Sequence, residues 1–423
     1  MGSDQTAHRS LSMILTRSPR FLQRTFAAQR GRFSSTGFQH FRVLVVAIVI
    51  NARKTKLCHL AAAAPDLGHR TSHARFLLSD WDASGLLAGQ AWRIIEAMNP
   101  QPGEPVYLII DDTRIAKRGK KMDGVSKIWD QKSHNFIHGH VVVLAAIQFR
   151  GVTIPWAIEL WIPKAQAGRS YRKLNHIAAS LIATFPEKFG LKVRVLFDAA
   201  YLAQSVVRVC ENRGFTWFSV AARNRNLIRG GRKQKLKDIA PGVLRYRGKR
   251  VRMRRSRGWR WLRVAAVDGV LGRTGEVRVV FSKRSRQSNK ELLSVATNEL
   301  KRKPREIIAT YERRWSIEVL FKEMRTSLGL CDYQVLRRTA IERHLHLCCI
   351  AHQTLTHQAI TEEGAQAREK DKEVVLPSLN QRIEVFRHRV NQDRITALLS
   401  RIRDPNVKRK VRRYLIHEAA VAV

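Results

Sequence analysis

Acidic residues are scarce in this chain: 34 Asp and Glu stand against 78 Lys and Arg over 423 residues, a formal net charge of +44. A surplus of that size disfavours cationic partners and points to a polyanion, for which DNA or RNA is the usual candidate. Cysteine is also sparse. The five cysteines, Cys58, Cys210, Cys331, Cys348 and Cys349, form no Cys-x-x-Cys pair. That argues against a disulfide framework and a cysteine-built zinc site, and for a reducing compartment. Long apolar runs are missing. Val43 to Ile50 is too short to span a bilayer and reads as part of a buried helix, so no membrane role is expected. No Gly-x-x-x-x-Gly-Lys loop is present, which argues against P-loop nucleotide hydrolysis. No acid occurs from His8 to His40. That stretch has the composition of an organelle transit peptide, but a flexible basic arm, or a misassigned start ahead of Met13, is the preferred reading.

What is present changes character along the chain. Residues 41–100 read as helical, with a helix start at Ser79-Asp80-Trp81-Asp82 and stops at Asn99-Pro100 and Pro102-Gly103. Val106 to Ile110 is a buried-strand pattern ending in Asp111-Asp112-Thr113. Further strands are expected at His140–Phe149, Val152–Ile162 and Val193–Phe197, the last ending in Asp198, with helices at Tyr171–Phe185 and Ala203–Arg213. This order predicts an α/β fold. Residues 216–285, with basic Gly-rich turns, read as a β-rich insertion, and Asn289–Leu300 as helical. Pro304 then opens a long helix that Gly329 would cap. The remainder reads as helical and basic, with Lys408-Arg409-Lys410-Val411-Arg412-Arg413 near the end.

The helix after Pro304 is the most informative segment. Tyr311, Arg314, Glu318, Lys322 and Arg325 recur by threes and fours, which places them on one face, beside an apolar stripe of Ile317, Phe321, Met324 and Leu328. One carboxylate among cations suits a metal ligand flanked by phosphate binders; a solvated face laced with salt bridges is the other reading. Asp112 and Asp198 at strand ends complete a three-acid set of the kind that two-metal phosphoryl transfer on nucleic acid requires. Each aspartate taken singly could equally be a turn or cap. Other histidines are read as structural: His138 and His140 at the start of a strand, and His344, His346, His352 and His357 as partly exposed packing residues of a helix.

Three blocks together resemble the DDE transposases of bacterial insertion sequences, in the group called the insertion sequence four family. They are Leu108-Ile109-Ile110-Asp111-Asp112-Thr113 with Trp129-Asp130-Gln131-Lys132-Ser133 downstream, Val195 to Tyr201, and the Tyr311–Arg314–Glu318 helix, where Arg325 stands in the family's lysine place. The resemblance covers about residues 70–350. It implies an RNase H-like mixed sheet flanked by helices, with a β-rich insertion and a helical N-terminal domain. It also implies that Asp112, Asp198 and Glu318 are catalytic and hold Mg2+, with Mn2+ as a substitute. Asp112 is preferred to Asp111 because the family aspartate directly precedes Thr. Tyr311, Arg314, Lys322 and Arg325 would grip DNA, and Trp259 and Trp261, set among arginines, would stack on a base or serve as strand core.

The implied domains are a basic arm or misassigned start (1–40), a helical DNA-binding domain (41–103), the catalytic core in two parts (104–215 and 289–350), the insertion (216–288) and a basic helical C-terminal region (351–423). The expected activity is cut-and-paste transposition on double-stranded DNA, at transposon ends and target, by a homodimer in the synaptic complex of a bacterial cytoplasm and nucleoid. Two alternatives stay open: a catalytically silent DNA-binding regulator derived from a transposase, and an RNA-processing nuclease sharing the metal site.

Overall fold

The computed structural model describes residues 19–51, 55–63, 69–130, 133–255, 258–284, 292–361, 367–368, 373–400 and 405. The Gln131-Lys132 pair and the basic run 408–413 lie outside them. The chain divides into two compact units, one built around Met98–Phe321 with Ala367–Val374, the other from the N-terminal helices and the residues from Lys322 onward.

The first unit is organised by a 12-stranded sheet. Its strands are β1 (Pro105–Ala116), β2 (Ser126–Asp130), β3 (Asn135–Phe149), β4 (Val152–Trp161), β5 (Lys192–Phe197), β6 (Thr216–Val220), β7 (Asn226–Arg229), β8 (Arg232–Lys235), β9 (Lys249–Arg255), β10 (Gly258–Leu271), β11 (Glu276–Lys283) and β12 (Leu293–Thr297). The order is β2-β3-β1-β5-β6-β12-β11-β10-β7-β8, with β4 on β3 and β9 on β10. β1, β5 and β6 run parallel and the other pairs antiparallel, so the sheet is mixed. The apolar runs of β1 and β5 are buried in the middle of the sheet, where helices Leu174–Thr184 (α4) and Gln204–Asn212 (α5) pack on each other and on the neighbouring strands β3, β4 and β6. This is the RNase H-like α/β arrangement the sequence predicts.

Three expectations about the elements from β6 to Ser327 need correction. Asn289–Leu300, read as a helix, contains β12 instead. Its Ser294, Val295, Ala296 and Thr297 are all buried, and a strand bonded on both edges, to β6 and β11, outweighs weak helical periodicity. β12 bridges the two, so the strands of the stretch read as an insertion continue the same sheet as β1 and β5. That stretch also holds a helix, Leu236–Arg247 (α6), which the Gly- and Arg-rich composition hid. Finally, the helix after Pro304 is two helices, Pro304–Glu312 (α7) and Trp315–Ser327 (α8). The break at Arg313 and Arg314 is a tight turn in which Arg314 N donates to Tyr311 O and Ile317 N to Arg314 O.

The second unit is helical: Ser35–Ile50 (α1), Arg70–Leu78 (α2), Ala83–Glu96 (α3), Arg338–Thr361 (α9) and Leu379–Leu399 (α10). α9 packs against α1, α2 and α3. Asp82 caps α3 by accepting from Gly85 N at 2.8 Å. The arm expected over residues 1–40 is helical from Arg20 on, and Ser35–Ile50 runs straight through the boundary drawn at 40. The reason is aromatic: Phe26, Phe33, Phe38 and Phe41 form a cluster with Phe76 and Trp81 that buries what an arm would leave in water. His344, His346 and His352 are buried, not partly exposed. The stripe Ile317, Phe321, Met324 and Leu328 is buried as its spacing predicts. Among the described residues no helix is long and apolar enough to cross a membrane.

Candidate active site

The acids meet because of the β1–β5 register. The parallel ladder ends at Ile110 opposite Phe197. The next residues on the two strands are Asp111 and Asp198, about 5 Å apart by the ordinary strand spacing. β1 does not stop at the acids as expected but continues to Ala116, so Asp111 and Asp112 are held inside a strand paired with β3. Alternation then sends the two carboxylates to opposite sides. The turn after β5 is tied by Asp198 itself, whose Oδ1 accepts from Ala200 N at 2.9 Å and Tyr201 N at 3.4 Å.

Asp111 faces the helix glutamate. Arg314 Nη1 donates to Asp111 Oδ2 at 3.0 Å, and Arg314 Nη2 donates to Glu318 Oε1 at 2.5 Å. One guanidinium therefore bridges a strand acid and a helix acid. Burial pushes the Asp111 carboxyl up to about 7; Arg314 opposes that rise, while Asp198 and Asp112 add to it by like-charge repulsion. Tyr311 is buried beside this bridge, and burial raises its hydroxyl to about 12. For Arg314, burial alone would weaken the charge; Tyr311, Asp111 and Glu318 more than offset it, so it stays firmly cationic.

Asp112 has a different set of partners. Its Oδ1 accepts from the Tyr201 hydroxyl at 3.0 Å and its Oδ2 from Arg114 Nη1 at 3.1 Å. Burial raises its pKa, with Arg114 and the Tyr201 hydrogen bond pulling the other way. Arg114 also donates through Nε to the Trp129 carbonyl at 2.8 Å. Tyr201 is buried, and its hydroxyl is pushed well above its ordinary range by burial and by the acids around it. Arg114 and Tyr201 are the residues that sequence reasoning missed. Tyr201 falls within the second motif block, but nothing in one sequence says which carboxylate its hydroxyl reaches.

The structure thus brings Asp111, Asp112, Asp198, Tyr311, Arg314 and Glu318 into one electrostatic neighbourhood. Lys322 and Arg325 follow on α8, exposed and half-buried respectively, past the point where the two units divide. Among the described residues no three acids stand close enough to close around one ion as placed, because Arg314 lies between Asp111 and Glu318. The donor chemistry still fits a hard divalent cation: every anionic group is a carboxylate, and burial together with the neighbouring acids raises the pKa of Asp111 and Asp112 in spite of Arg314 and Arg114. His140 is no ligand here; it is fully buried, with Nε2 on the Asp123 carbonyl at 3.0 Å.

Trp259 and Trp261 lie elsewhere, on the β9–β10 ribbon. They are 53% and 48% exposed, with the Arg252 and Arg250 guanidinium carbons each 4.5 Å from the facing ring centre. Register puts Arg254 opposite Trp259, Arg252 opposite Trp261 and Arg250 opposite Arg263, all on one face. The other face carries the buried Met253, Leu262 and Val264. Of the two readings, strand core is ruled out by this exposure.

Residues 31–279, more than half of the chain, match the family described as DDE superfamily endonuclease, and residues 271–360 match an archaeal putative transposase, ISC1217. A probable transposase for insertion sequence element IS701, from Microchaete diplosiphon, is 29% identical over 167 residues, which is 39% of this chain. The match spans 43% of that relative, less than half its length. The family match covers β1 to β5 with both aspartates, so the chain belongs to the DDE superfamily endonucleases.

Proposed function

We propose that the chain is a transposase that cuts DNA at the inverted-repeat ends of its element and joins the freed 3′-hydroxyls to target DNA. The observation that carries this is the β1–β5 register that sets Asp111 beside Asp198, with the Arg314 guanidinium bridging Asp111 to Glu318 on the helix. In this reading Asp111, Asp198 and Glu318 would hold the metal, and Asp112, chosen first from sequence, supports them from the far side of β1. Mg2+ or Mn2+, when bound, would supply the Lewis acid that activates the attacking oxygen and steadies the leaving one.

The chain's own residues have separable tasks. The rigid sheet holds Asp111 and Asp198 in place before substrate arrives, which preorganises the site. Tyr201 and Arg114 fix Asp112 on both oxygens. Arg314 neutralises Asp111 and Glu318 in the free protein and is placed to turn its charge to a phosphate when they are otherwise satisfied. Lys322 and Arg325 continue the basic helix, and the Arg–Trp face of β9–β10 supplies further DNA contact. Synapsis of two ends implies a homodimer, and the +44 charge would keep the protein on the nucleoid.

The test is cleavage and joining of DNA carrying the element's own ends, with Mg2+ and then Mn2+, for wild type and Glu318→Gln. Wild type should excise and join while Glu318→Gln binds without cutting. If both bind and neither cuts, the chain is a silent DNA-binding regulator.

A further inference from the structure

We infer that the β2–β3 hairpin is a stacking platform for an unpaired nucleotide of the strand held at the acids; this rests on the DNA-cutting reading above. Trp129 and Phe136 are direct cross-strand partners, with ring centres 5.1 Å apart in an edge-to-face arrangement. They are 45% and 54% exposed, in a unit whose Phe197, Trp217 and Phe218 are fully buried. Leaving two such rings half in water forgoes burial that a core position would use. Structural need does not account for it, since the hairpin is already bonded along Ser126–Asp130.

The surroundings identify the occupant. Lys127 Nζ lies 4.8 Å from the Phe136 ring centre. Lys117 N donates to the carbonyl of His138, the cross-strand partner of Lys127, so lysines flank β3 on both edges. Exposed Arg118, Lys120 and Lys121 follow. Cations beside open aromatic faces match a polymer with anionic links and flat bases. A paired base hides its faces in the helix stack, so only an unpaired one can use the rings. The platform is also wired to the acids: Arg114 holds the Trp129 carbonyl with Nε and Asp112 with Nη1. As at Trp259 and Trp261, a cation already lies against one ring here, Lys127 against Phe136.

The experiment uses the full chain without metal, and two fluorescent probes: a single-stranded oligo-dT with one 2-aminopurine, and a blunt duplex of equal length. Trp129→Ala and Phe136→Ala should each weaken single-strand binding about tenfold and abolish the stacking-dependent change in 2-aminopurine emission. Trp129→Phe should restore most of both. Duplex affinity should be unchanged in all three. Equal losses on both DNAs would mean a general fold or charge effect and would overturn the proposal; so would no loss on either. Because no cleavage is read, a failed transposition assay and a failed platform are told apart.

Discussion

The two halves of the sheet solve opposite electrostatic problems. The half around β1, β5 and β3 takes carboxylates out of water and ties them with Arg314, Arg114 and Tyr201. The half around β9 and β10 keeps cations in water and lays them against Trp259 and Trp261. Desolvation strengthens each charge–charge contact near the acids and raises the pKa of Asp111 and Asp112. Exposure lets the arginines keep their hydration until a phosphate arrives. One sheet therefore carries a preorganised anionic centre and an adaptable cationic face, and the β12 strand joins them into a single hydrogen-bonded body. The comparison teaches that in a chain of +44 the few acids matter by where they are buried, not by number.

The sharpest way to break this contrast is to neutralise the acids singly. Asp111→Asn should lower the rate of DNA cleavage about 10³-fold while DNA binding persists, as expected when several kcal/mol of metal-dependent stabilisation is lost. Asp112→Asn should lower it only about tenfold. A larger loss for Asp112→Asn, measured as single-turnover cleavage, would restore Asp112 as the metal ligand.

Next in size is the cationic half. Replacing both Arg250 and Arg252 by Gln should reduce the slope of log affinity against log salt by about 2, one phosphate contact each, with catalytic turnover of bound DNA nearly unchanged. An unaltered salt slope would remove the ribbon from the DNA interface.

Tyr201→Phe tests how Asp112 is held. Loss of one hydrogen bond to a buried carboxylate should cost roughly 1–3 kcal/mol of folding stability in denaturant titration. No change would mean that Arg114 alone suffices.

The smallest effect serves as a control outside both sheet halves. His346 is buried in the helical unit, with Nδ1 against the Glu342 carbonyl at 2.7 Å and Nε2 against the Ser84 hydroxyl at 3.2 Å. Burial lowers its pKa to about 4, below the ordinary 6.5. The unfolded chain therefore binds the extra proton first. The neutral-His contribution is complete above pH 6.5 and is lost as pH falls toward 4, with a slope of at most about 1.4 kcal/mol per pH unit. His346→Gln should flatten that slope in unfolding measured at pH 7 and 5, without changing DNA binding at pH 7.

Much of this was legible in the chain itself. Apolar runs such as Val106–Ile110 and Val193–Phe197 announced buried strands, because only a strand covered on both faces is apolar at every position. The three-and-four spacing after Pro304 announced an amphipathic helix. Less legible were β12, whose burial comes from neighbours distant in sequence, and the break at Arg313–Arg314, which no proline or glycine marks.

Charge, the scarcity of acids and cysteines, the aspartates that follow the apolar strand runs and the helix glutamate were thus determined by sequence alone, because residue type and local period suffice to state them. Which aspartate faces Glu318, that one arginine bridges them, that Tyr201 and Arg114 hold the other, and that Trp129 and Phe136 stay in water were decided by the tertiary structure. The physical reason is that these depend on sheet register and on partners up to 203 residues apart, which local periodicity cannot encode.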